Sequence, residues 1–457
     1  MTRSGCSTNN EGLRPCAAAS LGRLPIPMTP LSAEHAPRPR YTLALLTLMS
    51  ALAFMDRQIL SVLIEPVKME FGLSDLQIGL ITGLGFALTF SLLGVPLGRL
   101  ADRRERRSQI AWCRGLGGLL AALGAASTGF WSLMFTRGGG ALSDAGGTPA
   151  SISMLADLYP PAQRSRAMSV LSAGGSLGAL LALLLGSWLA QNYGWRTTVV
   201  VAGAGSMLAA MLLLATVREP LRVMTAHAQP GAGTPRPPGA VAAIWAEPVT
   251  RWLVVGAALT LLAAYSFGAW NIALMVRHHG LSLQQAGWIS GAAALSSITG
   301  GLISGSLTDR LAYRDLRWQM GVPLLGLGMA LVSGVAYLLL PAGTLTAATV
   351  LMVVFAFFLP WWVAPTYAAI SLVVPNQRRA TANAMVLLAG AIVGNGLGPI
   401  LTGWLSDLLN ASLGGDGLRY AMLGMVCMLL PAMLAFVRAL RAYPAAHRNA
   451  FHPTVAN

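Results

Sequence analysis

The stretch GRLADRRERR, residues 98–107, closes one long apolar run and stands just before the next. A similar stretch, GSLTDR, occupies residues 305–310, again at the end of an apolar run. A second pair of short motifs follows, PAQR at residues 161–164 and NQRR at residues 376–379. The members of each pair lie a little over 200 residues apart, close to half of the 457-residue chain. This spacing predicts an internal repeat of two similar halves.

The composition indicates a membrane protein. Only 10% of the residues are charged, 55% are hydrophobic and the mean hydropathy is +0.62. A soluble chain typically has about 25% charged residues. A water-facing surface could hardly be built from this composition.

The net charge of +15 does not indicate a nucleic-acid partner. The basic residues form short clusters between apolar runs, which is typical of cytoplasmic loops in membrane proteins rather than of a nucleic-acid interface. The cysteines, Cys6, Cys16, Cys113 and Cys427, form no CxxC pair and have no histidine cluster nearby. They indicate neither a disulfide framework nor a zinc site, and we expect no metal or other cofactor.

Apolar runs long enough to cross a bilayer recur along the chain. A crossing helix needs about 20 apolar residues. Such runs occur at residues 41–64, 75–98, 108–128, 130–157, 166–190, 197–217, 250–276, 284–306, 318–340, 346–373, 380–408 and 418–440. These lengths are helical rather than those of barrel strands. The sequence predicts an all-α polytopic membrane protein with twelve transmembrane helices in two six-helix halves.

Polar stretches divide the chain further. Residues 1–40 are rich in Arg, Pro and Ser and lack the apolar core of a signal peptide, so we expect a disordered N-terminal tail. Residues 218–248 contain GAGTPRPPGA and indicate a flexible linker. The predicted halves are residues 41–217 and 249–441, and residues 442–457 form a C-terminal tail.

The distribution of arginine predicts the orientation. The loops on the side of the N-terminus hold many more basic residues than the loops on the other side. The former are Arg99, Arg103, Arg104, Arg106, Arg107, Arg164, Arg166, Arg218, Arg222, Arg310, Arg314, Arg317, Arg378 and Arg379, and the latter are Lys68, Arg196, Arg277 and Arg419. We expect both termini and the linker in the cytoplasm, in a cell inner (plasma) membrane.

The stretch at residues 98–107 resembles the loop signature of the major facilitator superfamily, from which it departs at Glu105, where the family usually has glycine. Within that superfamily the chain is most similar to the spinster-like group. Residues 56–83, 144–169 and 365–384 carry this resemblance. It implies the major facilitator fold and transport by rocker-switch alternating access. Spinster-like proteins in animals move lysolipids and sphingolipids.

The motif residues also have a physical role of their own. Gly98 permits close helix packing, and Asp102 lies at a helix end, where a carboxylate can accept hydrogen bonds from a neighbouring helix terminus or from arginines. Such contacts on one side of the membrane would bias a two-state equilibrium. The predicted gating residues are Gly98, Asp102, Arg103, Arg106, Asp157, Asp309 and Arg310, with Asp157 as partner of Arg103 or Arg106. The alternative is that these charges only set topology.

Four ionisable residues interrupt the apolar spans, where such groups are costly and usually functional. Asp56 and Arg57 lie in the first span and Arg137 and Asp144 in the fourth. Helix rise places the first three at a shared depth, and Asp144 follows Arg137 by two turns on the same side. The resemblance adds that spinster-like proteins carry an Asp-Arg pair in the first helix and an arginine and a carboxylate in the fourth, usually glutamate where this chain has Asp144.

These four residues are the predicted proton-coupling and substrate site. We expect Asp144 to be the main proton-binding residue, with Arg137 as its conformational switch and Asp56 as the rival proton site. The alternative is a static salt bridge that only holds helices together. Arg114, in the third span, lies close enough to the cytoplasmic face for its side chain to reach the interface, and we interpret it as structural.

The second half has no comparable charged residue within its spans. Its predicted cavity residues are Tyr265, Trp270, Asn271, Trp361, Tyr367, Asn383 and Asn395. A charged half facing an aromatic half suits an amphiphilic or anionic substrate. The alternative is that these side chains serve helix packing and the membrane interface.

The favoured function is a monomeric, proton-coupled secondary transporter. The alternative on the same fold is an uncoupled facilitator or a lysolipid-type exporter. A membrane enzyme or sensor is disfavoured, because no catalytic triad, metal cluster or phosphate loop is apparent.

Overall fold

The computed structural model describes residues 39–103, 105–219 and 240–451, and within these ranges the chain is helical with short connections and no strand. The predicted disordered tail lies outside the described residues except for residues 39 and 40, which already begin the first helix. The central part of the predicted linker and residues 452–457 also lie outside them.

The first six crossings begin with α1 (Pro39–Phe71), α2 (Asp75–Arg103), α3 (Arg106–Leu123) and α4 (Phe130–Leu158). They continue with α5 (Pro161–Leu181), a π-helical turn (Ala182–Gly186) and α6 (Ser187–Thr216). Gly194 has a φ of 81° inside α6, so the chain turns there, and the fifth crossing ends before this glycine while the sixth follows it. A side chain would strain this backbone conformation, which glycine adopts freely.

The last six crossings follow a short helix, α7 (Ala240–Ala246), within the predicted linker. Three are single helices, α8 (Pro248–His279), α9 (Leu283–Ala312) and α10 (Trp318–Leu339). The tenth crossing consists of α11 (Leu345–Phe358) and α12 (Val363–Val373). The eleventh consists of α13 (Asn376–Ala389) and α14 (Gly398–Leu413), joined by a π-helical segment, Gly390–Leu397. The twelfth consists of α15 (Gly417–Cys427) and α16 (Leu429–Phe451).

The prediction of an all-α polytopic fold is confirmed. Eight segments of the described residues are long and apolar enough to cross a membrane, and two of these, with 54 and 64 residues, each contain two crossings. The remaining two crossings, α3 and α4, fall short of this hydropathy because arginines, aspartates and glycines interrupt them. The helices extend further than predicted, α1 to Phe71 and α16 to Phe451, since apolar length marks the part in lipid and not the polar turns beyond it.

Two ends of the helical bundle are used below as reference points. The Arg106 face is the end where α2 stops and α3 begins, and the Asp75 face is the opposite end, where α1 stops and α2 begins. Near the Asp75 face the first six crossings pack tightly on the last six. A Cβ at Gly79 would lie 2.5 Å from the carbonyl oxygen of Pro399, and one at Gly83 would meet the carbonyl oxygen of Gly396. The backbones of α2 and the eleventh crossing therefore touch directly.

Candidate functional site

A cavity lies between the first six and the last six crossings. Its walls come from α1, α2, α4, α8 and the eleventh crossing. They consist of Arg57, Gln58, Leu60, Ser61, Thr82, Phe86, Arg137, Tyr265, Gly268, Ala269, Asn395 and Pro399. Four of these residues belong to the predicted site: Arg57, Arg137, Tyr265 and Asn395.

Arg57 presents its guanidinium group to aromatic rings. The guanidinium carbon lies 4.3 Å from the ring centroid of Phe86 and 5.9 Å from that of Tyr265, which belongs to the other set of crossings. A further ring, Phe54, lies at 5.8 Å. Among the described residues no carboxylate lies within ion-pair distance of this cation. Cation–π contacts orient such a group without neutralising it, so the site retains a positive charge.

Arg137 ties α4 to the middle of α1. It donates hydrogen bonds to the backbone carbonyl oxygens of Asp56 and Arg57, both at 3.0 Å. Its Nε atom is buried without a hydrogen-bond partner. Because α1 carries both Asp56 and Arg57 at this point, Arg137 holds the backbone of both residues.

Asp56 points away from the central cavity. It lines a second, smaller and mostly apolar cavity within the first six crossings, whose lining also includes Thr136 and Arg137. The residue is 5% exposed, and a Cβ at Gly140 of α4 would lie 2.8 Å from its Oδ2 atom. No hydrogen bond or ion pair to its carboxylate is present among the described residues. Asp56 and Arg57 therefore line different cavities.

Asp144 is paired with Arg114, whereas Arg137, its predicted conformational switch, contacts the backbone of α1. The Nη1 atom of Arg114 lies 3.2 Å from Oδ1 of Asp144 and 3.2 Å from the hydroxyl of Ser143, and its Nη2 atom lies 3.3 Å from the hydroxyl of Thr148. Arg137 is two turns of helix, about 10 Å, from Asp144. The interpretation of Arg114 as a side chain that reaches the interface was wrong, because the residue is 3% exposed.

In the last six crossings the predicted cavity residues separate into two groups. Tyr265 and Asn395 line the cavity. Trp270 donates to the carbonyl oxygen of Pro399 and is fully buried, and Asn271 binds the Tyr337 hydroxyl at 2.9 Å in the core. Trp361 is 5% exposed and packs on Phe357 and Phe358.

The assignment of Trp270, Asn271 and Trp361 to the cavity is therefore corrected. Successive helical residues are about 100° apart, so Trp270 and Asn271 cannot share the face of Tyr265. Tyr367 and Asn383 are half-buried and do not line this cavity either. The prediction missed Gln58, Ser61 and Phe86. Gln58 is adjacent to Arg57, Ser61 lies one helical turn after Arg57, and Phe86 lies one turn after Thr82. This spacing could have identified them from the sequence.

At the Arg106 face the structure brings two of the predicted gating residues together. Arg106 contacts Asp157 at 2.5 Å and Glu219 at 2.9 Å, and it is 2% exposed. Glu219 also accepts a hydrogen bond from the backbone N–H of Arg107, at 2.7 Å. Sequence reasoning missed Glu219 because it falls at the start of the predicted linker.

The other gating residues are not joined in this way. The side chains of Asp102 and Arg103 lie outside the described part of the structure. A Cβ added at Gly98 would meet no atom of another helix within 4 Å, so this glycine makes no close helix contact here. Asp309 and Arg310 are exposed, and no ion pair involves them among the described residues.

At the Asp75 face a network of ion pairs spans the two sets of crossings. Arg277 of α8 contacts Glu65 at 2.6 Å and Asp75 at 2.8 and 2.9 Å. Asp75 is fully buried and also pairs with Lys68 at 2.5 Å and accepts a hydrogen bond from Ser406 at 2.6 Å. The sequence had marked Lys68 and Arg277 only as flanking charges. Together with the close packing of α2, these contacts close the central cavity toward this face.

The chain matches the family model described as Major Facilitator Superfamily over residues 46–345 and 272–454. It is 34% identical to an MFS-type efflux pump of Mycolicibacterium smegmatis over 88% of this chain and 93% of that protein. It is 29% identical to human protein spinster homolog 1 over 39% of this chain and 34% of that protein.

A solved structure is similar over most of its length. It is a bacterial homolog of the human lysosomal transporter Spinster, in an inward-facing and unoccupied conformation. The TM-score is 0.79 and the sequence identity 27%, over 89% of this chain and 98% of that one.

Proposed function

This chain belongs to the major facilitator superfamily and is similar to Spinster, and from this premise we propose that it is a proton-coupled secondary transporter of an amphiphilic, anionic organic solute. It is a multi-pass membrane protein of a transporter family. The substrate class, the coupling ion and the orientation are the proposed part.

The unpaired guanidinium of Arg57 is the observation that carries the substrate class. A cation that no described carboxylate neutralises, in a cavity shared by both sets of crossings, suits an anionic head group. Phe86 and Tyr265 beside it offer apolar surface, while Gln58, Ser61 and Asn395 offer hydrogen bonds. Pockets of this kind select ligands that are largely apolar and carry a few polar groups.

The closed Asp75 face supports alternating access. Arg277, Glu65 and Asp75 seal one end of the cavity, and the similar Spinster structure is inward-facing. The excess of arginine at the opposite end indicates that the Arg106 face is cytoplasmic. In the proposed cycle this network opens when the cavity turns toward the other side of the membrane.

For proton binding we favour Asp56 over Asp144, which reverses the prediction from the sequence. Asp56 is buried and makes no hydrogen bond or ion pair through its carboxylate among the described residues, so it can take up a proton without losing a direct partner. Asp144, by contrast, is in direct contact with Arg114, and a proton there would have to compete with this ion pair. Arg137 links Asp56 to Arg57 through their backbone, so binding of an anion at Arg57 and of a proton at Asp56 can influence each other.

A thermal-shift screen of the purified protein tests the substrate class. Amphiphiles with the same alkyl chain and an anionic, neutral or cationic head group are compared, since a ligand that binds the native state raises the melting temperature. We expect stabilisation by the anionic series, and its loss in Arg57→Gln but not in Arg310→Gln, an exposed arginine outside the cavity. Equal stabilisation of both variants would contradict the proposal.

The second candidate is an uncoupled exporter on the same fold. The name of the Mycolicibacterium smegmatis relative, an efflux pump, favours export. Reconstituted vesicles separate the two candidates. A ligand from the screen accumulates against its gradient in response to a pH gradient if transport is proton-coupled, and equilibrates without such a response if it is not.

A further inference from the structure

The core of the first six crossings contains two buried carboxylates near one another. On α4, Gly140 contacts the carboxylate of Asp56, and Asp144 follows one turn later on the same face. The charged groups around this pair are Arg57 on α1, Arg114 on α3 and Arg137 on α4, and the thiol of Cys113 lies on α3. Of the two carboxylates, Asp144 has an arginine in direct contact and Asp56 has none among the described residues.

We propose that Arg114 is a positioning residue that keeps the carboxylate of Asp144 engaged in an ion pair, so that the coupling proton binds at Asp56. This inference rests on the proposed proton coupling and assigns the two carboxylates different roles. Arg114 acts through Asp144 and touches neither the central cavity nor Asp56.

The surroundings of Arg114 form a specific binding site for its guanidinium group. The side chain is buried, and three oxygen atoms, from Ser143, Asp144 and Thr148, lie within 3.3 Å of its Nη atoms. A Cβ at Gly147 would lie 2.5 Å from its Nε atom, so the absence of a side chain at this position makes room for the guanidinium. All four of these partners lie on α4 within two turns.

Close packing of α3 on α4 places Arg114 at this point. A Cβ at Gly117 would lie 2.7 Å from the carbonyl oxygen of Gly139 and 2.8 Å from the Cβ of Ser143. The two helix backbones therefore approach as glycine-rich membrane helices do. Arg114 lies one turn before Gly117 on α3. The close packing at Gly117 therefore also brings the guanidinium of Arg114 within reach of Asp144.

In this arrangement the carboxylate of Asp144 stays in its ion pair, and the proton is exchanged at Asp56. A buried carboxylate in contact with a guanidinium favours the charged state. The ion pair of Arg114 with Asp144 leaves Asp56 as the carboxyl without a direct partner, and the charges of Arg137 and Asp144 both act on it. Proton exchange at Asp56 alone would give one proton-binding group in this part of the protein.

The test is a pH titration of the purified protein by infrared difference spectroscopy, which detects the C=O stretch of protonated carboxyl groups. The wild-type protein should show one buried carboxyl that titrates, and Asp56→Asn should lose it. In Arg114→Gln a second titrating carboxyl should appear, and it should vanish in the double variant Arg114→Gln/Asp144→Asn. Arg114→Lys, which retains the charge, should keep the single titration of the wild type.

A purely structural role for Arg114 predicts a different pattern. The single variant would then melt at a lower temperature and the double variant would recover, with no additional titrating group in either. That result, or loss of the wild-type signal in Asp144→Asn with Asp56 intact, would overturn the inference. If Arg114→Gln does not fold, Ser143→Gly removes one hydrogen-bond partner of Arg114 and should also make a second titrating carboxyl appear, and a single titration as in the wild type would count against the proposal.

Failure of the proposed function gives a distinct result. If a pH gradient drives no transport by wild-type vesicles, proton coupling is wrong whatever the titration shows. A single titrating carboxyl at Asp56 and its duplication in Arg114→Gln would still establish the role of Arg114.

Discussion

The carboxylate of Asp407 accepts a hydrogen bond from the backbone N–H of Asp75, at an N···O distance of 3.0 Å, and a second one from Leu76 at 2.8 Å. Asp407 lies on α14, among the last six crossings, whereas Asp75 is the first residue of α2. A helix N-terminus has free N–H groups and a partial positive charge, which a carboxylate stabilises. Since the cap comes from the other set of crossings, it must break when the Asp75 face opens.

Asp407→Ala should therefore shift the protein toward the conformation that is open at the Asp75 face. Loss of a charged cap at a helix N-terminus typically costs about 1–2 kcal/mol, which corresponds to roughly a 5- to 30-fold change in population. A cysteine at Thr82, which lines the cavity, reports the opening in a background without the native cysteines. Its labelling by an impermeant thiol reagent outside intact cells should rise by this factor. Asp315→Ala, an exposed acid near the Arg106 face, is the matched control, and equal labelling in both variants would contradict the prediction.

Arg277→Gln should have a larger effect than Asp407→Ala. Arg277 contacts Glu65 and the fully buried Asp75, and removing one partner of a buried pair commonly costs about 3–5 kcal/mol. Arg277→Lys retains the charge but cannot contact both acids in the same planar way, so its effect should be intermediate. Labelling of the cysteine at Thr82 should be fastest in Arg277→Gln, slower in Arg277→Lys and slowest in the protein with Arg277 intact. Any other order would show that Arg277 does not hold this face closed.

The fold could be predicted from the sequence because each crossing has its own apolar signal. The spans of the first, second and fourth crossings lie within α1, α2 and α4. The ends were less predictable, since α1 continues through Glu65, Lys68 and Glu70, whose charges mark the end of the apolar run but not of the helix. The turn at Gly194 separates two crossings as expected from the break between the fifth and sixth spans.

The site was predictable in its residue types but not in its pairs. Charged residues inside apolar spans identified Asp56, Arg57, Arg137 and Asp144 directly. Their partners depend on which helices touch, and the approach of α3 to α4 at Gly117 is a tertiary feature that no periodicity within one helix reveals. For the same reason the network around Asp75 was missed, because its members come from distant parts of the chain.

Asp102→Asn should impair transport more than Asp309→Asn at similar expression. The end of α4 carries Asp157, which pairs with Arg106, but the corresponding end of α12 carries no acid. Asp309 is exposed and makes no ion pair among the described residues, so its substitution should leave the contacts at the Arg106 face unchanged. Uptake into vesicles, corrected for the amount of protein, measures both, and equal defects would remove the case for an asymmetric gate.

Cysteines introduced at Thr234, in the predicted linker, and near either terminus should be shielded from an impermeant thiol reagent outside intact cells. The reason is that loops rich in arginine stay on the cytoplasmic side of the membrane, and the linker and both termini are expected on the same side as these loops. A cysteine at Ser412, which is exposed at the end of the eleventh crossing near the Asp75 face, should react and serves as the positive control. Labelling of the linker from outside would reverse the proposed orientation.

Asp56→Asn should abolish accumulation driven by a proton gradient and leave substrate exchange intact. Asparagine mimics the protonated carboxyl in size and cannot release a proton, while Arg137 keeps its hydrogen bonds to the backbone of α1. Exchange requires the cavity and Arg57 to be intact, which this substitution preserves because Asp56 does not line the central cavity. Vesicles loaded with a ligand from the thermal-shift screen, assayed with and without a pH gradient, separate the two activities. Asp144→Asn, in combination with Arg114→Gln to keep the charge balanced, is the matched variant and should retain a response to the gradient. If this double variant loses the response and Asp56→Asn keeps it, Asp144 is the coupling residue, as the sequence first suggested.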